Sequence, residues 1–422
     1  MKLKNSQKRS NSSRFKKYNP IGEEEKAAAL EVIDSGILSQ FVGSWGPDFY
    51  GGAKVQELER FVEKKYKVKY ALAVNSWTSG LICAVGALDI EPGDEIILPP
   101  WTMSACAAAI LHYNAIPIFV DIERETFNID PKQIESKITS RTKAIMAIDI
   151  FGHSCNIDQI SAIAKSHGLK VITDSAQTPW SMNKDRISGT LADIGGFSLN
   201  YHKHIHTGEG GIIVTNDKEL YDRMSLIRNH AESVVQPMGV KNLSNMVGFN
   251  FRMGEIEAAI GIEQFKKLDK LVERKRVICK KLTEGLNQLP GLKTPAINDG
   301  NSHSFYIYPL ILDTKLIGKK RSEILNELIE AGLTEGFFEG YQNLHLLPIF
   351  QEKIAFGAKG FPWNLTENGL KMDYSKGICP IAEELHETSF LAFEICLFEL
   401  SDHDVDDIIS TIKGVWEKFD LK

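Results

Sequence analysis

The sequence predicts an α/β protein: a large domain with a mostly parallel sheet flanked by helices, then a smaller C-terminal α+β domain. Three observations lead there. Between residues 55 and 195, short apolar runs bounded by turn residues alternate with segments of helical period, as βαβ units do. After about residue 195 that rhythm stops, and a Pro/Gly/Asn-rich stretch at 288–303 reads as a linker. The length of 422 residues suits roughly two or three domains.

The elements follow in order. Residues 55–66 read as a helix, 70–74 as a strand and 79–87 as a helix. The turn signal Pro92-Gly93-Asp94 precedes a strand over 95–98. A helix at 104–111 and a strand at 116–120 come next, then a long apolar run at 143–150, a helix at 158–167 and a buried strand at 170–173. Right-handed crossovers between parallel strands put helices on both faces. The strand-like runs 196–199 and 211–215 are separated only by a polar loop, so they can pair. A charged helical stretch covers 254–286, with Asp269 a possible break. The last part mixes a strand (304–312) with helices at 321–331 and 404–419. The domain expectation is a basic disordered arm at 1–20, a large domain at 21–268 and a small one at 269–422.

Charge narrows the function. The chain has 49 basic and 55 acidic residues, a net charge of −6. Residues 1–20 hold seven of the basic ones and no acid; the remainder carries −13. So acidic a body is a poor nucleic-acid binder. The Ser/Asn/Lys-rich tail lacks the apolar core of a secretory signal, and no apolar run reaches the ~18 residues of a membrane helix. A cytoplasmic protein is expected, with no membrane or nucleic-acid partner. The six cysteines are widely spaced and form no CxxC pair, which argues against a disulfide framework or a cysteine metal site. They read as small core residues.

Three segments offer chemistry. Asn75-Ser76-Trp77-Thr78-Ser79-Gly80 joins a strand to a helix; it is either a helix cap or an anion site. Asp174 in Thr173-Asp174-Ser175-Ala176-Gln177 follows a buried strand; it is either a cap or a ligand group at the carboxyl end of a parallel strand. In Tyr201-His202-Lys203-His204-Ile205-His206-Thr207-Gly208-Glu209-Gly210-Gly211, an extended chain would put His202, His204 and His206 on one face. That face could hold zinc, Lys203 could form a Schiff base, or the segment is a surface loop. Taken together the three favour the lysine. A pyridoxal phosphate enzyme needs a phosphate cradle, a carboxylate for the pyridine nitrogen and an amine. Ser76/Thr78, Asp174 and Lys203 supply one of each.

With Pro92-Gly93-Asp94-Glu95, Phe197-Ser198, Thr207-Gly208-Glu209-Gly210-Gly211, Arg228-Asn229-His230, Asn250-Phe251-Arg252-Met253 and Cys379-Pro380-Ile381-Ala382-Glu383 added, the chain resembles the DegT/DnrJ/StrS sugar aminotransferases, pyridoxal phosphate enzymes of fold type I, from about Gly22 onward. The resemblance implies roles position by position. Lys203 matches the Schiff-base lysine and Asp174 the pyridine-nitrogen partner. Gln177 matches the group that bonds the ring hydroxyl, and Trp101 the aromatic that stacks on the ring. Ser198 matches a phosphate ligand, Trp77 and Thr78 fall in the phosphate turn with Ser76, and Asn250 matches a residue reaching the phosphate from a neighbouring subunit. It also implies a homodimer with shared active sites, a keto-sugar acceptor (nucleotide-linked), and glutamate or glutamine as amino donor, with pyridoxamine phosphate formed between half-reactions. Amino-sugar and lipopolysaccharide biosynthesis is the implied setting.

Trp77 stands where many relatives have Gly, which brings bulk into the phosphate turn. Some relatives have His in place of the lysine and dehydrate keto sugars; here Lys203 is in register and histidines flank it. A dehydratase, a non-enzymatic regulator and a zinc hydrolase are the alternatives. Arg228 and Arg252 suit either a donor carboxylate or structural salt bridges. The aromatic-rich stretches 36–51 and 336–350 are candidate sugar contacts.

Overall fold

A computed structural model describes residues 14–419. Its centre is a seven-stranded sheet in the order Tyr70–Val74, Gly211–Thr215, Ile194–Ser198, Lys170–Asp174, Thr142–Ile148, Glu95–Leu98, Ile116–Phe119. The last five strands in that order run parallel to one another. Gly211–Thr215 is antiparallel to both of its neighbours, pairing Ser198 with Gly211 on one side and Val74 with Gly211 on the other. The parallel strands are buried almost throughout, which explains why they read as continuous apolar runs rather than alternating ones.

Ser76 shows how one strand hands over to a helix. Its backbone is extended, and its Oγ accepts from the Ser79 amide at 3.1 Å, so Trp77–Gly86 starts there. Satisfying an otherwise unpaired first-turn N–H in this way is worth about 1 kcal/mol. The connections place Asn75–Thr78, Trp101, Phe151, Asp174 and the Lys203 loop beyond the carboxyl ends of parallel strands, along one edge of the sheet. Open α/β sheets bind ligands at that edge.

A second, antiparallel sheet is built from Leu292–Lys293, Tyr308–Leu312, Phe390–Phe393 and Phe337–Phe338. With the helix Asp402–Trp416 it encloses a separate apolar core. Three expectations change here. The helix Glu255–Leu286 runs without interruption through Asp269 and through the boundary expected at 268/269, since one buried apolar stripe continues along it. Residues Leu344, Phe350, Trp363, Tyr374 and Cys379, expected in the small domain, pack into the core of the large sheet. The basic arm expected to be disordered over 1–20 is docked from residue 14 onward, and residues 1–13 lie outside those described. Phe15 is 2% exposed, edge-on to Phe393 and Phe398, and the Tyr18 hydroxyl donates to the His204 carbonyl at 2.7 Å. The Phe15 ring is buried while Lys16 and Lys17 beside it stay exposed, so docking takes apolar surface out of water and leaves the lysines solvated. Among the described residues no helix is long and apolar enough to cross a membrane.

Candidate active site

Asp174 ends its strand with a carboxylate that is 6% exposed. Its Oδ1 accepts from the Trp77 indole at 2.7 Å and the Ala176 amide at 3.0 Å, and its Oδ2 accepts from the Cys106 thiol at 3.0 Å. The bulk expected to crowd the phosphate turn is therefore elsewhere. The Trp77 indole turns inward, over Gly80 and Gly196, where a Cβ on either glycine would overlap it. The backbone of Gly211 closes against the Trp77 amide, with room for a hydrogen atom only.

Lys203 lies in the loop after the strand Ile194–Ser198. The loop is closed by Leu199 N–H to Gly210 O at 2.9 Å and Thr207 N–H to Leu199 O at 3.0 Å. The lysine is 7% exposed, and its Nζ sits 4.3 Å from the centre of the Tyr306 ring. Burial pulls its pKa from the usual 10.5 down to about 8, against the opposing pull of the Asp174 charge. A buried amine with that affinity for protons is a nucleophile within reach of neutral pH.

The histidines do not share a face. The segment turns rather than extends, because glycines at 208 and 210 adopt positive φ and the loop folds back on its strand. The His204 Nε2 donates to the Ser304 carbonyl at 2.8 Å, the His206 Nδ1 accepts from the Gly208 amide at 3.3 Å, and the His202 ring lies against Tyr201 and Tyr306. Burial lowers His202 to about 4, with Lys203 adding to it, and lowers His204 to about 3. Both are neutral at pH 7 and bring no second positive charge to Lys203. Among the described residues no three His, Cys, Asp or Glu side chains are grouped to hold a metal ion.

Gln177 bridges the Phe151 amide, which donates to its Oε1 at 2.8 Å, and the Tyr341 hydroxyl, which accepts from its Nε2 at 3.0 Å. The half-buried Ser76, the exposed Thr78 and the half-buried Ser198 stand at the phosphate turn. The first amides of the helix there have no intrahelical partner. Asn250 is exposed; its Oδ1 accepts from Arg252 at 2.8 Å, and its carbonyl lies 3.4 Å from the Asn75 side-chain amide.

Trp101 does not take the stacking role expected for it. It is 0% exposed, edge-on to Phe151 and Phe390 and tilted against Phe127, with its indole N–H donating to the Tyr341 carbonyl. No face of the ring is open to a ligand, because these rings close around it. Met103 and Ser104, just beyond it, are exposed. Arg228 is also buried, paired with Glu59 at 2.7 Å and donating to the Ala73 carbonyl at 2.9 Å. It is a structural ion pair.

Four site residues escaped the sequence reading in their roles. Tyr341 lay in the 336–350 stretch, singled out there only for its aromatic content. Tyr306 and Cys106 carried no signal, and the indole of Trp77 pointed the wrong way in anticipation. A phosphate-sized anion fits the turn of hydroxyls and free amides. A carboxylate and a low-pKa amine stand on the same edge. This donor set suits pyridoxal phosphate.

Residues 21–370 match the profile of the DegT/DnrJ/EryC1/StrS aminotransferase family. The spore coat polysaccharide biosynthesis protein SpsC of Bacillus subtilis is 32% identical over 401 residues, covering 94% of this chain and 95% of that protein. The GDP-perosamine synthase of Escherichia coli O157:H7 is 34% identical, over 80% of this chain and 88% of that enzyme. Among solved structures, an aminotransferase from Psychrobacter cryohalolentis superposes with a TM-score of 0.80 at 25% identity, covering 96% of this chain and 99% of that one.

Proposed function

Because the chain belongs to the DegT/DnrJ/EryC1/StrS aminotransferase family, we propose that it moves an amino group from glutamate or glutamine to a nucleotide-linked keto sugar. It is a sugar aminotransferase, and its cofactor is pyridoxal phosphate. When bound, the cofactor supplies an electron sink for the charge left on the carbon that loses its proton. The protein supplies binding, orientation and proton movement.

Asp174 binds the ring nitrogen, since it is a buried carboxylate with no cation paired to it among the described residues. Gln177, whose amide donates to the Tyr341 hydroxyl at 3.0 Å, would bond the ring hydroxyl. Ser76, Thr78, Ser198 and the Trp77 amide hold the phosphate, with the helix dipole adding to the attraction. Lys203 would hold the cofactor through its Nζ, and the same amine, its pKa near neutral, would be the base that takes up and returns the proton. The single observation behind this reading is the buried Lys203 amine, its pKa drawn down to about 8 against the pull of Asp174.

Two features support a homodimer with shared sites. The stretch from Leu30 to Trp45 leaves Leu30, Ile33, Ile37, Leu38, Val42 and Trp45 exposed together, which suits a second copy. Asn250 is exposed beside the phosphate turn, so a two-fold neighbour can offer its own Asn250 there. The six buried free cysteines fit a reducing cytoplasm.

The test is turnover of a panel of nucleotide-linked keto sugars, GDP-linked first, with glutamate or glutamine, followed by mass spectrometry. Gain of an amino group is the expected product; loss of water without added nitrogen marks a dehydratase. Lys203→Ala should lose at least about a thousandfold in rate, the scale of removing a covalent and proton-transfer group. Wild-type turnover by that variant refutes the assignment.

A further inference from the structure

We propose that Trp77 and Cys106 are positioning residues for Asp174, clamping its two carboxylate oxygens so that one acceptor direction is left for the cofactor's ring nitrogen. This rests on the cofactor reading given above. A carboxylate offers about four acceptor directions. Three are taken here, by the Trp77 indole at 2.7 Å, the Ala176 amide at 3.0 Å and the Cys106 thiol at 3.0 Å.

The three donors come from separate elements: the first turn of Trp77–Gly86, the first turn of Ala105–His112 and the turn after Asp174. A carboxylate held from three directions cannot swing about its χ2. An indole or amide N–H can only donate, so Asp174 is read as an acceptor. Cys106 also stays a donor: burial first, then the Asp174 charge, push its thiol well above the usual range, so it keeps its proton. Thr102 Oγ1 lies 3.6 Å from the sulfur and fills its other side. The pose of Trp77 is equally prepared, since the absent side chains at Gly80 and Gly196 make room for the indole. A buried cysteine and a buried tryptophan would otherwise pass as core residues.

The experiment titrates cofactor-free wild type, Cys106→Ala, Cys106→Ser and Trp77→Phe with pyridoxal phosphate by equilibrium dialysis. It also follows the visible band of the bound cofactor against pH. Losing one hydrogen bond to the carboxylate should raise the dissociation constant about tenfold in Cys106→Ala and Trp77→Phe, and displace the midpoint of the band's titration. Cys106→Ser, which keeps a donor, should restore both. Wild-type affinity and midpoint in Cys106→Ala and Trp77→Phe overturn the proposal. So does a Cys106→Ser variant as weak as Cys106→Ala, because shape rather than donation would then matter. If Trp77→Phe does not fold, the two Cys106 variants decide. Borohydride reduction of wild type separates the two readings. Without a pyridoxyl group fixed on Lys203, the cofactor reading itself falls and this inference with it; with one, unchanged variants overturn this inference alone.

Discussion

Burying a lysine that must act as a nucleophile costs stability, and Lys203→Met should return it. The drop in its pKa from 10.5 to about 8, at about 1.4 kcal/mol per pH unit, amounts to about 3 kcal/mol held against the charged lysine in the folded protein. The Tyr306 ring, 4.3 Å from Nζ, gives back about 1 kcal/mol. The cofactor-free Lys203→Met protein should therefore be about 2 kcal/mol more stable than wild type at pH 7. The sign follows from proton counting. Between pH 8 and 10.5 the unfolded chain binds more protons than the folded one, so wild-type stability rises with pH through that window. The cost is complete below pH 8 and gone above 10.5. Urea unfolding of both cofactor-free proteins, at one protein concentration, at pH 7 and pH 9.5, reads the difference. The gap should shrink by about half at the higher pH. A Lys203→Met protein equal to or weaker than wild type at pH 7, or a gap that ignores pH, refutes the argument that burial dominates this lysine.

Two more outcomes follow from Arg228 and Trp101. Arg228→Met strands the Glu59 carboxylate, whose pKa burial already pushes up, and should cost about 3–5 kcal/mol in urea unfolding, with Glu59→Gln recovering much of it. Weaker donor binding at unchanged stability would instead place Arg228 on the substrate carboxylate. Trp101→Ala should cost about 3–5 kcal/mol of stability through the cavity it leaves. The Lys203 Schiff-base band of the folded fraction should keep its position, and a displaced band in a stable protein would restore the stacking role.

The sequence by itself determined the order and placement of the main chemical groups. Ser76, Asp174 and Lys203 each follow an apolar run, and a run that is buried on both faces in a parallel sheet announces itself by composition. Where such runs end, the ligand edge of the sheet begins, so these residues share one edge. The α/β class was legible for the same reason, as was the pairing of the strand holding Ser198 with the one holding Gly211. Tertiary structure alone decided what touches what. The Trp77 indole reaches Asp174 across 97 residues and the Cys106 thiol does so across 68; no local period encodes either contact. Trp101 sits at a strand end, which composition cannot distinguish from a ligand face, and three phenylalanines from distant segments close over it. The histidines alternate in sequence, yet the glycines after them bend the loop, so alternation sets no shared face. The arm from Arg14 looked soluble by charge, but the stacked Phe393 and Phe398 rings that Phe15 meets edge-on come together only once the second sheet is formed. Local pattern reports which face of an element is apolar. Which partner meets that face depends on contacts that exist only after the chain has folded.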